Sequence, residues 1–200
     1  MHALLIVVGN GSIDEYMKPY DENLDVPRYS RGLVSEDEKK RCLDYYNEKR
    51  AKEHKDPYES FDECYAQEGN NWNGNRYEIN AFGKWEEFST YNPNSKYDWY
   101  QIGGRWPGQL LLKEGVIPEH ELNFSLLWNN KEREKFLATH QHHTDMAKKG
   151  DIVNLDELKA SDIMIDGEWI VLSDFAFKPV AEYLKDVSDD TMITCVDYHI

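Results

Sequence analysis

Cysteine is scarce and scattered: Cys42, Cys64 and Cys195 are the only three in 200 residues, and no two form a CxxC pair. Such spacing indicates neither a disulfide framework nor a structural zinc site. Cys42 and Cys195 read as packing residues, on a helix and a buried strand respectively. Long apolar runs are missing as well. The run Ala3-Leu4-Leu5-Ile6-Val7-Val8 near the start is too short to span a bilayer and lacks the flanks of a signal peptide. The expectation is a cytoplasmic protein with no membrane partner. Positive charge is in deficit, 23 Lys and Arg against 38 Asp and Glu, a net −15. A general nucleic-acid binder would carry a basic face, so none is expected. The same charge suits attraction to a basic protein partner. Neither G-x-x-x-x-G-K-[ST] nor G-x-S-x-G occurs, and Gly9-Asn10-Gly11 is only a tight turn.

What the chain does contain reads as an α+β domain. Residues 2–8 and 191–200 are buried-strand patterns at the two ends, expected as neighbours in one mixed or antiparallel central sheet. A single domain over 1–200 is expected, ferredoxin-like in layout, with a helical, acidic insertion over about 12–75. Ser35-Glu36-Asp37-Glu38 is a capping box that opens a helix running to about His54. A shorter helix follows Pro57, over about 58–67, and strands are expected near 76–80, 84–88, 97–102 and 108–113. A short helix is expected over about 155–159, and residues 121–139 read as helical or irregular. Asp166-Gly167 between two apolar runs is the strongest hairpin signal. A helix over about 174–186, capped by Ser173, precedes the final strand.

Three constellations carry chemistry. In Asp98-Trp99-Tyr100-Gln101-Ile102-Gly103-Gly104-Arg105-Trp106, large aromatics, a carboxylate and a guanidinium surround a Gly-Gly break. Trp99, Tyr100 and Trp106 can stack on a planar ring while Arg105 forks onto a charged group; Asp98 and Lys149 would add polar contacts. Those same aromatics would equally serve as core, with Arg105 paired to Asp98 or Asp197. The second is His140-Gln141-His142-His143-Thr144-Asp145. His140, His142, His143 and Asp145 can supply imidazole and carboxylate ligands to a divalent metal, although the spacing is not HExxH and clustered histidines on a polar loop are commonly just solvated. The third is Asp197-Tyr198-His199. On a strand, Asp197 and His199 share a face, a spacing that suits an acid–base pair.

Three blocks also carry a resemblance: Asn92 to Trp106, Asp145 to Ile152, and Asp189 to Ile200. Their DWYxIGGRW, DxAKKGDI and DDTxxTxVDxHI patterns resemble a family of bacterial and bacteriophage proteins with no assigned activity. The resemblance covers about a third of the chain, leaves residues 12–75 unmatched, and implies that the three blocks meet in space. The leading expectation is a binding protein for a small anionic aromatic, nucleotide-like molecule. In a phage setting it would act in the host cytoplasm, sequestering or degrading a host defence signal. A metal- or His-dependent hydrolase or lyase is the alternative, and an acidic inhibitor of a host effector protein the third. The sharpest geometric expectation places Arg105, Asp197 and His199 around one concavity, with the Arg105 charge held towards Asp197.

Overall fold

The computed structural model describes residues 1–68, 76–118, 131, 141–172 and 176–200. The chain forms two compact units, Met1–Glu22 with Asn94–Ile200, and Asn23–Pro93.

The first unit is built on β1 (His2–Val8) and β13 (Met192–His199), antiparallel neighbours with a continuous register from His2↔His199 to Val8↔Ile193. Both are apolar on each face, and six consecutive residues of each are buried. Strands covered on both sides need such runs. Full burial of each Leu, Ile or Val contributes about 1.5–3 kcal/mol. On the far side of β1 lies β10 (Asp162–Ile165), parallel to it, and β10 turns back into β11 (Glu168–Val171). The turn is Asp166-Gly167 with φ of 48° and 87°, the two positive values that a tight hairpin matching strand twist demands. On the other side, two strands share the edge of β13. Its C-terminal half pairs with β5 (Trp99–Ile102) and its N-terminal half with β8 (Met146–Lys148). The sheet order is therefore β11-β10-β1-β13-β5, with β8 also on β13.

The α+β class and the central, mixed sheet holding both terminal strands agree with expectation. The layout is not the expected ferredoxin-like one: β10 lies directly beside β1 and parallel to it, whereas a split βαβ places another strand between the parallel pair, and β5 and β8 share the far edge of β13.

One sheet face carries Leu4, Ile6, Val8, Ile193 and Cys195, packed with Leu110, Leu158, Ile163 and Val180. The other carries Ala3, Leu5, Val7, Val196 and Tyr198, packed with Met17, Tyr97 and Met164. The first face is covered by short paired segments, β6 (Leu110–Leu111) with β7 (His143–Thr144) and β9 (Lys159–Ala160) with β12 (Lys178–Pro179), together with helix α4 (Ala181–Leu184). Met17 of the second face comes from α1 (Ile13–Met17). The helix expected over 174–186 is thus shortened: Lys178–Pro179 pairs as a strand, and the helix begins at Ala181. Pro179 lacks the N–H of a helix interior and pushes Lys178 out of helical backbone space. The expected 155–159 helix is a single 3-10 turn, Leu155–Glu157. Ser173 and the 121–139 segment, residue 131 apart, lie outside the described residues.

The second unit holds β2 (Tyr29–Leu33), α2 (Glu36–Lys52), α3 (Phe61–Glu68), β3 (Arg76–Ile79) and β4 (Trp85–Ser89), its strands in the order β2-β4-β3. Helix α2 starts at the capping box: Ser35 Oγ accepts from the Glu38 N–H at 3.2 Å, and Glu38 Oε2 accepts from the Ser35 N–H at 2.9 Å. Phe61, Tyr65, Tyr77 and Trp85 form its aromatic centre.

Candidate functional site

Because β13 runs between β1 and β5, directly opposed residues form rows across three strands on one face. One row is His2–His199–Trp99, and the next, two residues along, is Leu4–Asp197–Gln101. Strand alternation puts these rows on the same face. The register thereby places two imidazoles side by side, their ring centroids 5.0 Å apart at 70°. Trp99 lies nearly parallel to His199, at 5.7 Å and 11°, and meets the edge of His2 at 5.1 Å.

Each imidazole has its own carboxylate. His2 Nδ1 lies 2.8 Å from Asp197 Oδ1. His199 Nδ1 lies 2.9 and 3.0 Å from the two oxygens of Asp98. A carboxylate accepts, so in the neutral ring the proton sits on Nδ1 and the lone pair on Nε2. His199 Nε2 is 3.1 Å from the Met1 nitrogen, which also donates to the Ile200 carbonyl. The dyads differ in exposure. The Asp197 side chain is 2% exposed and His2 14%, whereas His199 and Asp98 are both 32% exposed.

Asp197 is held by the Gly-Gly-Arg turn. β5 stops at Ile102, and β8 takes over the edge of β13 from Met146. The junction is closed by the Gly103 N–H donating to the Cys195 carbonyl at 2.9 Å and the Cys195 N–H donating to the Asp145 carbonyl at 2.8 Å. Gly103 and Gly104 have φ of 72° and 53°. A Cβ on Gly104 would overlap the Asp197 side chain, and one on Gly103 the Asp145 carboxylate. Bare glycine backbone thus lies directly on two acidic side chains. The Arg105 N–H donates to Asp197 Oδ2 at 3.0 Å, and the Gly108 N–H to Asp145 Oδ1 at 2.5 Å. The buried Cys195 thiol between them is pushed up to about 12, first by burial and then by the Asp145 charge.

The expected site residues therefore sort unevenly. Asp98, Trp99, Asp197 and His199 come together. Arg105 joins them through its backbone. Its guanidinium is exposed and makes no ion pair among the described residues. The expected Arg105–Asp197 charge pair is replaced by the His2–Asp197 pair, since the turn presents the Arg105 N–H, not its side chain, to the carboxylate. Tyr100 points to the opposite sheet face, where its hydroxyl bonds Asp14 and its pKa is raised by burial and by that carboxylate. Trp106 packs on the apolar core and against Phe177. Lys149 donates to the Val187 carbonyl at 2.6 Å and faces Asp189 at 3.6 Å, a structural tie outside the site.

The described members of the His140–Asp145 cluster do not converge either. His142 is buried and His143 exposed; His143 Nδ1 contacts the Gly108 carbonyl, and Asp145 is taken by the Gly108 N–H. His140 lies outside the described residues. Among the described residues, no group of three or more His, Cys, Asp or Glu is placed to hold a metal ion. An apolar groove of about 620 Å³ runs along β8, lined by Leu112, Met146, Ala147 and Met192. Its lining also holds Asp151 and Lys148, the latter engaged by Asp190 at 2.9 Å.

His2 is the member of this cluster that sequence reasoning missed. Its only local signal is a titratable side chain at the head of an apolar strand, in step with Leu4 and Ile6; its pairing with His199 depends on register. Comparison with protein-family models, with curated proteins and with solved structures returns no match for this chain.

Proposed function

We propose that the protein binds a small anionic molecule carrying a planar aromatic ring, of nucleotide kind, at the end of the sheet where His2, His199 and Trp99 meet. The observation that carries this reading is Trp99. It is 42% exposed although flanked by two imidazoles, and an exposed indole on a rigid strand is a stacking platform. Arg105 rises from backbone anchored on the same carboxylate as His2, which would let its exposed cation fork onto a phosphate or carboxylate of a ligand held at the rings. In a bacteriophage setting, which the three-block resemblance allows, retention of such a molecule would withdraw a host signal.

The test is indole fluorescence and thermal shift of the whole chain against mono- and dinucleotides. Nucleotides are expected to raise the melting temperature and quench the indole signal. Trp99→Ala should weaken binding ~10–100-fold, the equivalent of one stacked ring. Arg105→Ala should weaken phosphorylated ligands and spare their nucleosides. A panel without any shift, or a Trp99→Ala protein that binds like the parent, would reject the reading.

A further inference from the structure

We propose that the two histidine–aspartate dyads act together as a general base and a general acid that cleave a ribonucleotide phosphodiester by internal transesterification. The proposal rests on the binding reading above and extends it from retention to chemistry.

The geometry has three parts. Each Nδ1 is committed to its own carboxylate, Asp197 for His2 and Asp98 for His199, which fixes the tautomer and makes Nε2 the working atom of each ring; on His199 the substrate would displace the Met1 nitrogen, which lies 3.1 Å from that atom. The rings are 5.0 Å apart on one sheet face, close enough for a single phosphoryl group to reach both. They are also set on the two central strands of the sheet, whose cores are fully buried, so their separation is fixed by backbone register and not by loop conformation. Two imidazoles with separate carboxylates can hold opposite protonation states, as a base and an acid working in one step require. A ribose 2′-hydroxyl is the fitting nucleophile, because an internal group adjoining the phosphorus supplies an effective concentration of about 10⁵–10⁸ M.

In the step, one imidazole takes the proton of the 2′-hydroxyl on Nε2. The O2′–P bond forms as the P–O5′ bond breaks, and the other ring, as imidazolium, gives its Nε2 proton to the departing O5′. The products are a 2′,3′-cyclic phosphate and a free 5′-hydroxyl. One proton has passed from substrate to protein and one from protein to substrate, with no oxidant and no water consumed. Asp98 and Asp197 are positioning residues. The groups facing the rings are those two carboxylates, the Met1 nitrogen at His199 Nε2 and the Trp99 indole.

The experiment incubates the full chain with ribodinucleoside monophosphates, with their 2′-deoxy counterparts, and with a ribodinucleotide whose 5′-bridging oxygen is sulfur. Products are followed by phosphorus NMR. The expected result is a cyclic phosphate from the ribo substrates alone, with a bell-shaped pH–rate profile. His2→Ala and His199→Ala should each lose ~10²–10⁴-fold in rate. The sulfur leaving group needs no acid, so it should restore one of these variants and not the other. Binding of the uncleaved 2′-deoxy compounds, read from indole fluorescence, shows that each variant is folded. If either variant fails to fold, the parent decides, because its bell should collapse to one limb with the 5′-thio substrate. Binding without cleavage would overturn the chemistry and leave the binding reading standing, whereas absence of binding would remove both. Cleavage that survives loss of either histidine, that depends on added divalent ion, or that keeps its full bell with the thio substrate would also overturn it.

Discussion

Gly104 shows how a residue without a side chain can determine a site. Its φ of 53° and the position of its missing Cβ, on top of Asp197, make glycine necessary twice over: for the left-handed backbone and for the close approach. The reward is one N–H, from Arg105, on a buried carboxylate that must also orient His2. Gly104→Ala should therefore cost about 2 kcal/mol or more, from strain plus displacement of Asp197. Urea denaturation measures it, and an unchanged midpoint would show that the turn yields. Gly83 has a comparable φ of 73° with nothing within 4 Å of its missing Cβ, so Gly83→Ala should lose only the backbone strain. The contrast between the two substitutions separates strain from crowding.

Among the elements, α2 is the one whose local signal is complete. The capping box joins Ser35 and Glu38 in both directions, and these hydrogen bonds hold the Glu38 carboxyl below its ordinary value. A depressed folded-state pKa means that the stabilisation is present above the ordinary carboxylate range and is lost as pH falls through the lowered value. Ser35→Ala should cost about 1 kcal/mol at neutral pH. That difference should narrow as the solution is acidified to the point where Glu38 is protonated in both states. Helical circular dichroism during urea titration at neutral and acid pH reads both arms; a difference that widens in acid would contradict the assignment. β5 and β8 make the opposite case. They are short and weakly signalled, yet together they complete the edge of β13, and their meeting point carries the glycine turn.

At the scale of the whole chain, hydroxyls and thiols are buried in numbers that matter at high pH. Tyr97 is pushed up to about 12 by burial, with Asp21 and Asp14 adding to it. Cys195 and Cys64 reach about 12 from an ordinary value of 9.0, again chiefly by burial. Tyr198 is raised further, by burial and by its hydrogen bond to Asp162. All these folded-state values lie above the unfolded ones. Their contribution is whole below the unfolded values and disappears as pH rises towards the folded ones. The protein should thus lose melting temperature steeply from about pH 9 to 12, and Tyr97→Phe should flatten part of that loss. A melting temperature level across this range would show that these groups ionise as readily folded as unfolded.

Much of the architecture was legible in the residues. Apolar runs at the two ends, the capping box, Asp166-Gly167 and Pro179 act through local sterics and burial, which the order of residues encodes directly. The strands near 76–80 and 84–88, the helix after Ser35 and the central place of both terminal strands followed from such signals, and so did the shared face of Asp197 and His199. What only the tertiary structure decided is register, and with it the neighbours of each side chain. A shift of one residue between β1 and β13 would have sent His2 to the opposite face from His199. The sequence distances of His2 from Asp197 and of His199 from Asp98 leave no local trace of either dyad. The aromatics of the 98–106 block show the same division. Composition marks all of them as ring-bearing candidates, but alternation along β5 and the turn at Gly103 keep Trp99 at the histidines, send Tyr100 to Asp14 and fold Trp106 into the core. Chemistry-bearing residue types are fixed by the chain; which of them meet is fixed by hydrogen-bond pairing between strands far apart in it.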